Sequence, residues 1–143
     1  MPVAGQGSGG LAGRSKPLSG RLVLIAEDDE DVRDVTRSAL EEHLGVRVIE
    51  ASDGCEALSL LKAEKPSLVI MDLMLPKMLG WQVVRQARSD PSTRDTPIIA
   101  LSGTGDRWGA LQVGCNDYLN KPFALDQLVG LARRWLTAPG PGR

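Results

Sequence analysis

The chain has 143 residues, 17 basic and 18 acidic side chains, a net charge of −1, 42% hydrophobic and 24% charged residues. That size suits one soluble domain with a real core, and the near-neutral charge excludes a nucleic-acid surface built on phosphate contacts. No stretch approaches the roughly 18 apolar residues of a membrane span.

The first 20 residues are rich in Gly, Ser and Pro without apolar periodicity, and read as a disordered leader with no signal-peptide core. A first apolar run, residues 22–26, reads as a strand and ends in Glu27-Asp28-Asp29. A helix follows from Glu30, with Val32, Val35, Ala39 and Leu40 on one face and Gly45 at its end. After a second strand at 46–49, Asp53 and Glu56 form a capping box for a helix carrying Leu58 and Leu61.

The third strand, 68–71, is a solid apolar run with a carboxylate, Asp72, at its end. A helix begins near Gly80 and carries Trp81, Val84 and Ala87, and the fourth strand, 98–101, ends in Ser102. The helix around 107–113 is short and contains Gly109, so it is marginal. A short strand at 118–119 leads to Lys121, and a last helix carries Leu125, Leu128, Val129, Ala132, Trp135 and Leu136. Residues 137–143 read as a disordered tail, since Pro139 stops the helix. Cys55 and Cys115 lack CxxC spacing and are read as small buried hydrophobes in a reducing cytoplasm, not as a disulfide or zinc site.

Strands alternating with helices imply an α/β fold, a five-stranded parallel sheet with helices on both faces. Ligands bind such sheets beyond the carboxyl ends of the strands. Two winding orders fit the pattern. In the flavodoxin-like order 2-1-3-4-5 the first and third strands are neighbours, so Glu27, Asp28 and Asp72 converge. Each residue has a plainer reading: a solvated helix start, a turn aspartate, an exposed lysine, an idle serine. Their conjunction at one sheet edge favours a site. Two carboxylates about 4 Å apart repel by roughly 4 kcal/mol at a surface-like dielectric. A hard divalent cation, Mg²⁺, would relieve that, with Lys121 as a second positive charge.

These segments resemble the receiver domain of two-component response regulators, over nearly all of residues 21–136. "LIAEDDEDVR" resembles the family's acidic pair, "VIMDLMLPKMLGW" its phosphoacceptor segment, and "IIALSG" and "DYLNKPF" its switch and lysine segments. The spacings of 72 − 27 = 45 and 102 − 72 = 30 residues also fit. The resemblance implies that Asp72 is phosphorylated by a histidine kinase or phosphotransfer protein. It implies Mg²⁺ bound by Glu27, Asp28, Asp72 and the carbonyl of Met74. It further implies Lys121 as the assisting cation, Ser102 and Tyr118 as the switch pair, and a cis bond before Pro122. Output would pass to a protein target through the fourth helix, fifth strand and fifth helix, without direct DNA contact, in the cytoplasm.

The chain also departs from the pattern. Only 121 − 102 = 19 residues separate Ser102 from Lys121, which shortens the fourth helix by about one turn. Leu79 stands where the family often has an acid. Met74 offers no group to guide an attacking water, so hydrolysis of the phosphorylated form should be slow. A phosphatase of the haloacid dehalogenase type would need an acid at position 74, and no P-loop is present. A stand-alone receiver is expected. The alternative is a receiver-like interaction module that is not phosphorylated. His43, on the first helix, is set aside as a relay residue.

Overall fold

The computed structural model describes residues 18–138. Five parallel strands, β1 (Leu22–Ala26), β2 (Arg47–Ala51), β3 (Leu68–Asp72), β4 (Ile98–Ser102) and β5 (Asp117–Asn120), form one sheet in the order β2-β1-β3-β4-β5. The helices are α1 (Glu30–Leu44), α2 (Gly54–Glu64), α3 (Gly80–Ser89), α4 (Arg107–Val113) and α5 (Leu125–Thr137). This is the expected flavodoxin-like order. It brings β1 beside β3, with Ala26 opposite Met71.

The solid apolar runs divide their side chains by the period of two that a strand imposes. Leu24, Ala26, Val69, Met71, Ile98 and Ala100 face one layer, closed by Leu61 of α2 and Val84 of α3. Val23, Ile25, Leu68, Ile70, Ile99 and Leu101 face the other, closed by Leu40 and Leu44 of α1 and Leu128 and Leu136 of α5. Every residue of β3 and β4 is buried, so Asp72 and Ser102 belong to the sheet itself and not to mobile loops.

Several expectations need correction. Leu18, assigned to the leader, is 1% exposed and packs in the α1–α5 layer. Ser19 and Gly20, also assigned to the leader, form an exposed turn before β1, and Thr137, assigned to the tail, is the last residue of α5; residues 1–17 and 139–143 lie outside the described residues. Val35 is 51% exposed, because the inward row of α1 runs through Thr36, Leu40 and Leu44. A polar Thr36 on the inner row hides that phase from a count of apolar residues. Leu125 is also partly exposed at the start of α5, and Cys55 is exposed while Cys115 is buried; both thiols are free. Burial pushes the Cys115 thiol up to about 12, so it stays a neutral apolar filler.

Local chemistry fixes the ends of the elements. Asp29 caps α1 by accepting from the N–H groups of Asp31 and Val32, and Gly45 ends that helix at φ 71°. The Asp53 carboxylate accepts from Glu56 N–H at 2.8 Å while Glu56 reaches back to Ser52 N–H at 3.0 Å, a capping box displaced by one residue. The short α4 is held from outside. Arg88 of α3 donates to the carbonyls of Gly114, Arg94 and Thr96 and to Asn116 Oδ1, at 2.8–2.9 Å. Those contacts tie the loop after α4, together with the loop between α3 and β4, to α3. Burial among neutral acceptors pushes the Arg88 guanidinium below its ordinary pKa.

Gly80 returns the loop after β3 onto the strand end, with its N–H donating to Leu73 O at 3.0 Å. A Cβ there would collide with the Asp72 carbonyl oxygen and lie 2.6 Å from Leu73 Cα. Gly80→Ala should therefore cost about 2 kcal/mol, the usual scale of overpacking against backbone that cannot yield. Urea unfolding checks this; an unchanged midpoint would show that the loop relaxes freely.

Candidate functional site

Glu27 is the first residue beyond β1. Its N–H donates to Ala51 O at 3.0 Å, extending the β1–β2 ladder by one rung, and its side chain is turned inward, 1% exposed. Asp28 is exposed beside it. Asp72 closes β3 at 6% exposure, and Leu73 N–H, just past it, donates to Leu101 O at 3.1 Å. One carboxylate oxygen each from Glu27, Asp28 and Asp72 lies within 4.8 Å of the others. The structure thus brings together the three acids expected to meet.

Lys121 arrives from the end of β5. Its N–H donates to Ser102 O at 2.8 Å, and the following Lys121–Pro122 bond is cis, as expected. The ammonium donates to Glu27 Oε1 at 2.7 Å and to Asp72 Oδ2 at 2.9 Å. The other oxygens are also engaged: Glu27 Oε2 accepts from Asp29 N–H at 3.1 Å and Asp72 Oδ1 from Met74 N–H at 2.9 Å. Burial, reinforced by the charge of Asp72, raises the Glu27 carboxyl above its ordinary range despite the hydrogen bonds from Lys121 and Asp29. Burial alone would lower the Lys121 ammonium, but its bonds to Glu27 and Asp72 outweigh that and raise it.

The donor set is hard oxygen. An octahedral Mg²⁺ with ligands at about 2.1 Å places neighbouring oxygens roughly 3 Å and opposite ones roughly 4 Å apart. A 4.8 Å cluster needs only small side-chain movement to meet that requirement. Met74 exposes its side chain, and its N–H is spent on Asp72.

Ser102 and Tyr118, the expected switch pair, meet where the Tyr118 hydroxyl donates to Ser102 O. The Ser102 hydroxyl bonds Thr104 Oγ1 at 3.0 Å and accepts from Thr104 N–H at 3.2 Å. The Tyr118 ring is already packed inward at 6% exposure, its hydroxyl 3.1 Å from Asn120 Oδ1 and 3.4 Å from Ser102 O. That inward position is the one the expectation assigns to the switched state. His43 is exposed in the last turn of α1.

Other contributors escaped the sequence reading. Arg33 donates to Glu27 O at 2.8 Å and to Glu50 Oε1 at 2.9 Å, locking the main chain of the acidic pair to β2. Asp117, buried at the start of β5, accepts from Trp135 Nε1 at 3.0 Å and faces Arg107 Nη2 at 3.6 Å, joining α4 to α5. The exposed indole of Trp108 stands beside this link. Arg33 and Glu50 are 17 residues apart, and only knowledge of the strand order could pair them.

A family model described as the response regulator receiver domain matches residues 23–133. Response regulator MprA of Mycolicibacterium vanbaalenii is 38% identical over 125 residues, covering 84% of this chain and 53% of that protein. The chain therefore spans about half the length of such curated relatives. A 14.6 kDa uncharacterized protein of Leptolyngbya boryana is also 38% identical, over 122 residues, covering 83% of this chain and 92% of that one. The receiver domain of a sensor histidine kinase from Pseudomonas aeruginosa PAO1, with a magnesium ion in its active-site cleft, superposes with a TM-score of 0.73 at 34% identity. That match covers 84% of this chain and 100% of the other.

Glu50 gives a test of the scaffold behind the acidic pair. Burial pushes its carboxyl up, but hydrogen bonds from Arg37 and Arg33 prevail and hold it below the ordinary range. A depressed folded pKa contributes stability above the unfolded value of about 4.3 that is lost as pH falls. Glu50→Gln should lower stability at pH 7 by about 1 kcal/mol. The gap from the parent should begin to close as pH falls past the unfolded value of about 4.3, and vanish only once pH lies below the depressed folded value, where Glu50 is protonated. Thermal unfolding across that range measures it, and a pH-independent gap would contradict the assignment.

Proposed function

We propose, from the premise that this chain belongs to the response regulator receiver domain family, that Asp72 accepts a phosphoryl group in a two-component relay. The donor is a histidine kinase or a phosphotransfer protein. The observation that carries this reading is the Lys121 ammonium bridging Glu27 and Asp72, with Asp28 in the same cluster.

Asp72 attacks as a carboxylate and needs no base to remove a proton. A bond forms between its oxygen and phosphorus, the donor's phosphorus–nitrogen bond breaks, and the electron pair leaves on the imidazole. The Met74 N–H and the Lys121 ammonium each hold one Asp72 oxygen, which fixes the carboxylate plane before the donor arrives. Glu27, Asp28, Asp72 and the Met74 carbonyl would hold Mg²⁺, whose charge would neutralise the transferring oxygens. Lys121 shares that work, and Ser102 donates its hydroxyl hydrogen to the phosphoryl group once it is in place.

The outcome is a change of surface and not turnover. No acid occupies position 74, so the acyl phosphate should persist for minutes or longer. Output passes by protein contact through α4, β5 and α5, where Trp108 and Arg107 are exposed. The matched length of the Leptolyngbya relative gives the single-domain form a precedent. A cytoplasmic setting suits a relay partner, and no helix among the described residues is long and apolar enough to cross a membrane.

Acetyl phosphate with Mg²⁺, followed by intact mass, tests the reading. The parent should gain one phosphate that decays over minutes or longer, and Asp72→Asn should gain none. Equal labelling of both would overturn the acceptor assignment, and an unlabelled parent would favour the interaction-module alternative.

A further inference from the structure

The loop between β4 and α4 reads Ser102-Gly103-Thr104-Gly105-Asp106, and it contains a continuous run of polar contacts. Ser102 Oγ lies 3.0 Å from Thr104 Oγ1 and accepts from Thr104 N–H at 3.2 Å. Thr104 Oγ1 in turn accepts from Asp106 N–H at 3.3 Å. Asp106 is the cap of α4: its Oδ1 accepts from Gly109 N–H at 2.8 Å and its carbonyl from Ala110 N–H at 3.2 Å. The serine at the sheet edge and the first turn of α4 are therefore three bonded side chains apart.

From this geometry we infer that Thr104 is the positioning residue that carries the state of Ser102 into α4. The inference rests on the phosphoacceptor reading of Asp72. A serine hydroxyl has one hydrogen to donate. Where Ser102 is the donor between the two hydroxyls, turning its hydrogen to a phosphoryl group breaks the bond to Thr104 Oγ1; where Thr104 is the donor, moving Ser102 Oγ toward the phosphoryl group stretches both contacts that Oγ accepts. Thr104 then follows Ser102 or lets it go. Either response alters the contact between Thr104 Oγ1 and Asp106 N–H, and with it the cap.

The consequence is large for this helix in particular. α4 has seven residues and contains Gly109, whose cost in a helix is about 1 kcal/mol relative to alanine. A cap is worth about as much again, so the first turn of so short a helix is set by Asp106. Gly105, at φ 77°, supplies the turn that aims Asp106 at Gly109, and Thr104 is exposed. Trp108 and Arg107, on the proposed output face, stand on that first turn.

Thr104→Val keeps the shape and deletes Oγ1; Thr104→Ser restores it. Each full-length protein is compared with and without phosphorylation by acetyl phosphate and Mg²⁺, reading hydrogen exchange of the amides at 109–113 and intact mass. All three should still label at Asp72, because Thr104 contacts Ser102, which acts once the phosphoryl group is in place, and bonds neither Asp72 nor Lys121; intact mass sets the labelled fraction against which exchange is compared. The change in exchange on labelling should appear in the parent and in Thr104→Ser, and fall by about half or more in Thr104→Val. An undiminished change in a fully labelled Thr104→Val would overturn the inference. So would a Thr104→Ser that behaves like the valine variant. A parent that takes no label would instead remove the phosphoacceptor reading, and this inference with it.

Discussion

The ammonium of Lys121 sits 2.7 Å from Glu27 Oε1 and 2.9 Å from Asp72 Oδ2, and much of the surrounding chain serves to keep it there. Two buried carboxylates within 4.8 Å of each other repel by roughly 3 kcal/mol at an effective dielectric near 20. A fold that forces them together must also bring a positive charge. The raised Glu27 carboxyl records the unrelieved part of that repulsion and of its burial. The raised Lys121 ammonium records the part that is relieved. One ammonium cannot balance three acids, and a site left short of positive charge is suited to a divalent cation and then to a phosphoryl group.

The sheet order imposes this arrangement. Placing β1 between β2 and β3 delivers Glu27 and Asp72 at adjacent strand ends. β4 and β5 then bring Ser102 and Lys121 along the same edge, with Lys121 N–H bonded to Ser102 O. Gly80 lets the chain double back against Asp72, and Arg33 pins the main chain of Glu27 from α1. On the far side the shortened α4 survives by borrowed support, from Arg88 through the loop that follows it and from Asp117 through Arg107. A helix held mainly from outside is easily shifted, which suits the output surface proposed for it.

Legibility in the sequence followed how local each signal was. β1, β3 and β4 are solid apolar runs, and their observed starts at Leu22, Leu68 and Ile98 coincide with those read from the chain. The edge strands were harder. β2 runs on through Glu50 to Ala51 because an edge strand pairs through its backbone and can carry a charge outward. β5 gains Asp117 and Asn120, polar residues whose side chains bond Trp135 and Tyr118. The site acids and Lys121 were legible because each stands at a strand end. Arg33, Arg88 and Thr104 were not, since a mid-helix arginine and a loop threonine look the same whether bonded or idle. The inward Tyr118 depends on a rotamer that no sequence encodes.

The account depends on electrostatic competition at one point, and a Mg²⁺ titration of the parent and of Lys121→Met, followed by amide chemical shifts, reads it directly. It predicts one saturable site in the parent, with shifts centred on residues 27, 28, 72 and 74, and tighter binding when the competing ammonium is removed. Equal affinity in the two proteins, or shifts scattered over the surface acids without saturation, would contradict it.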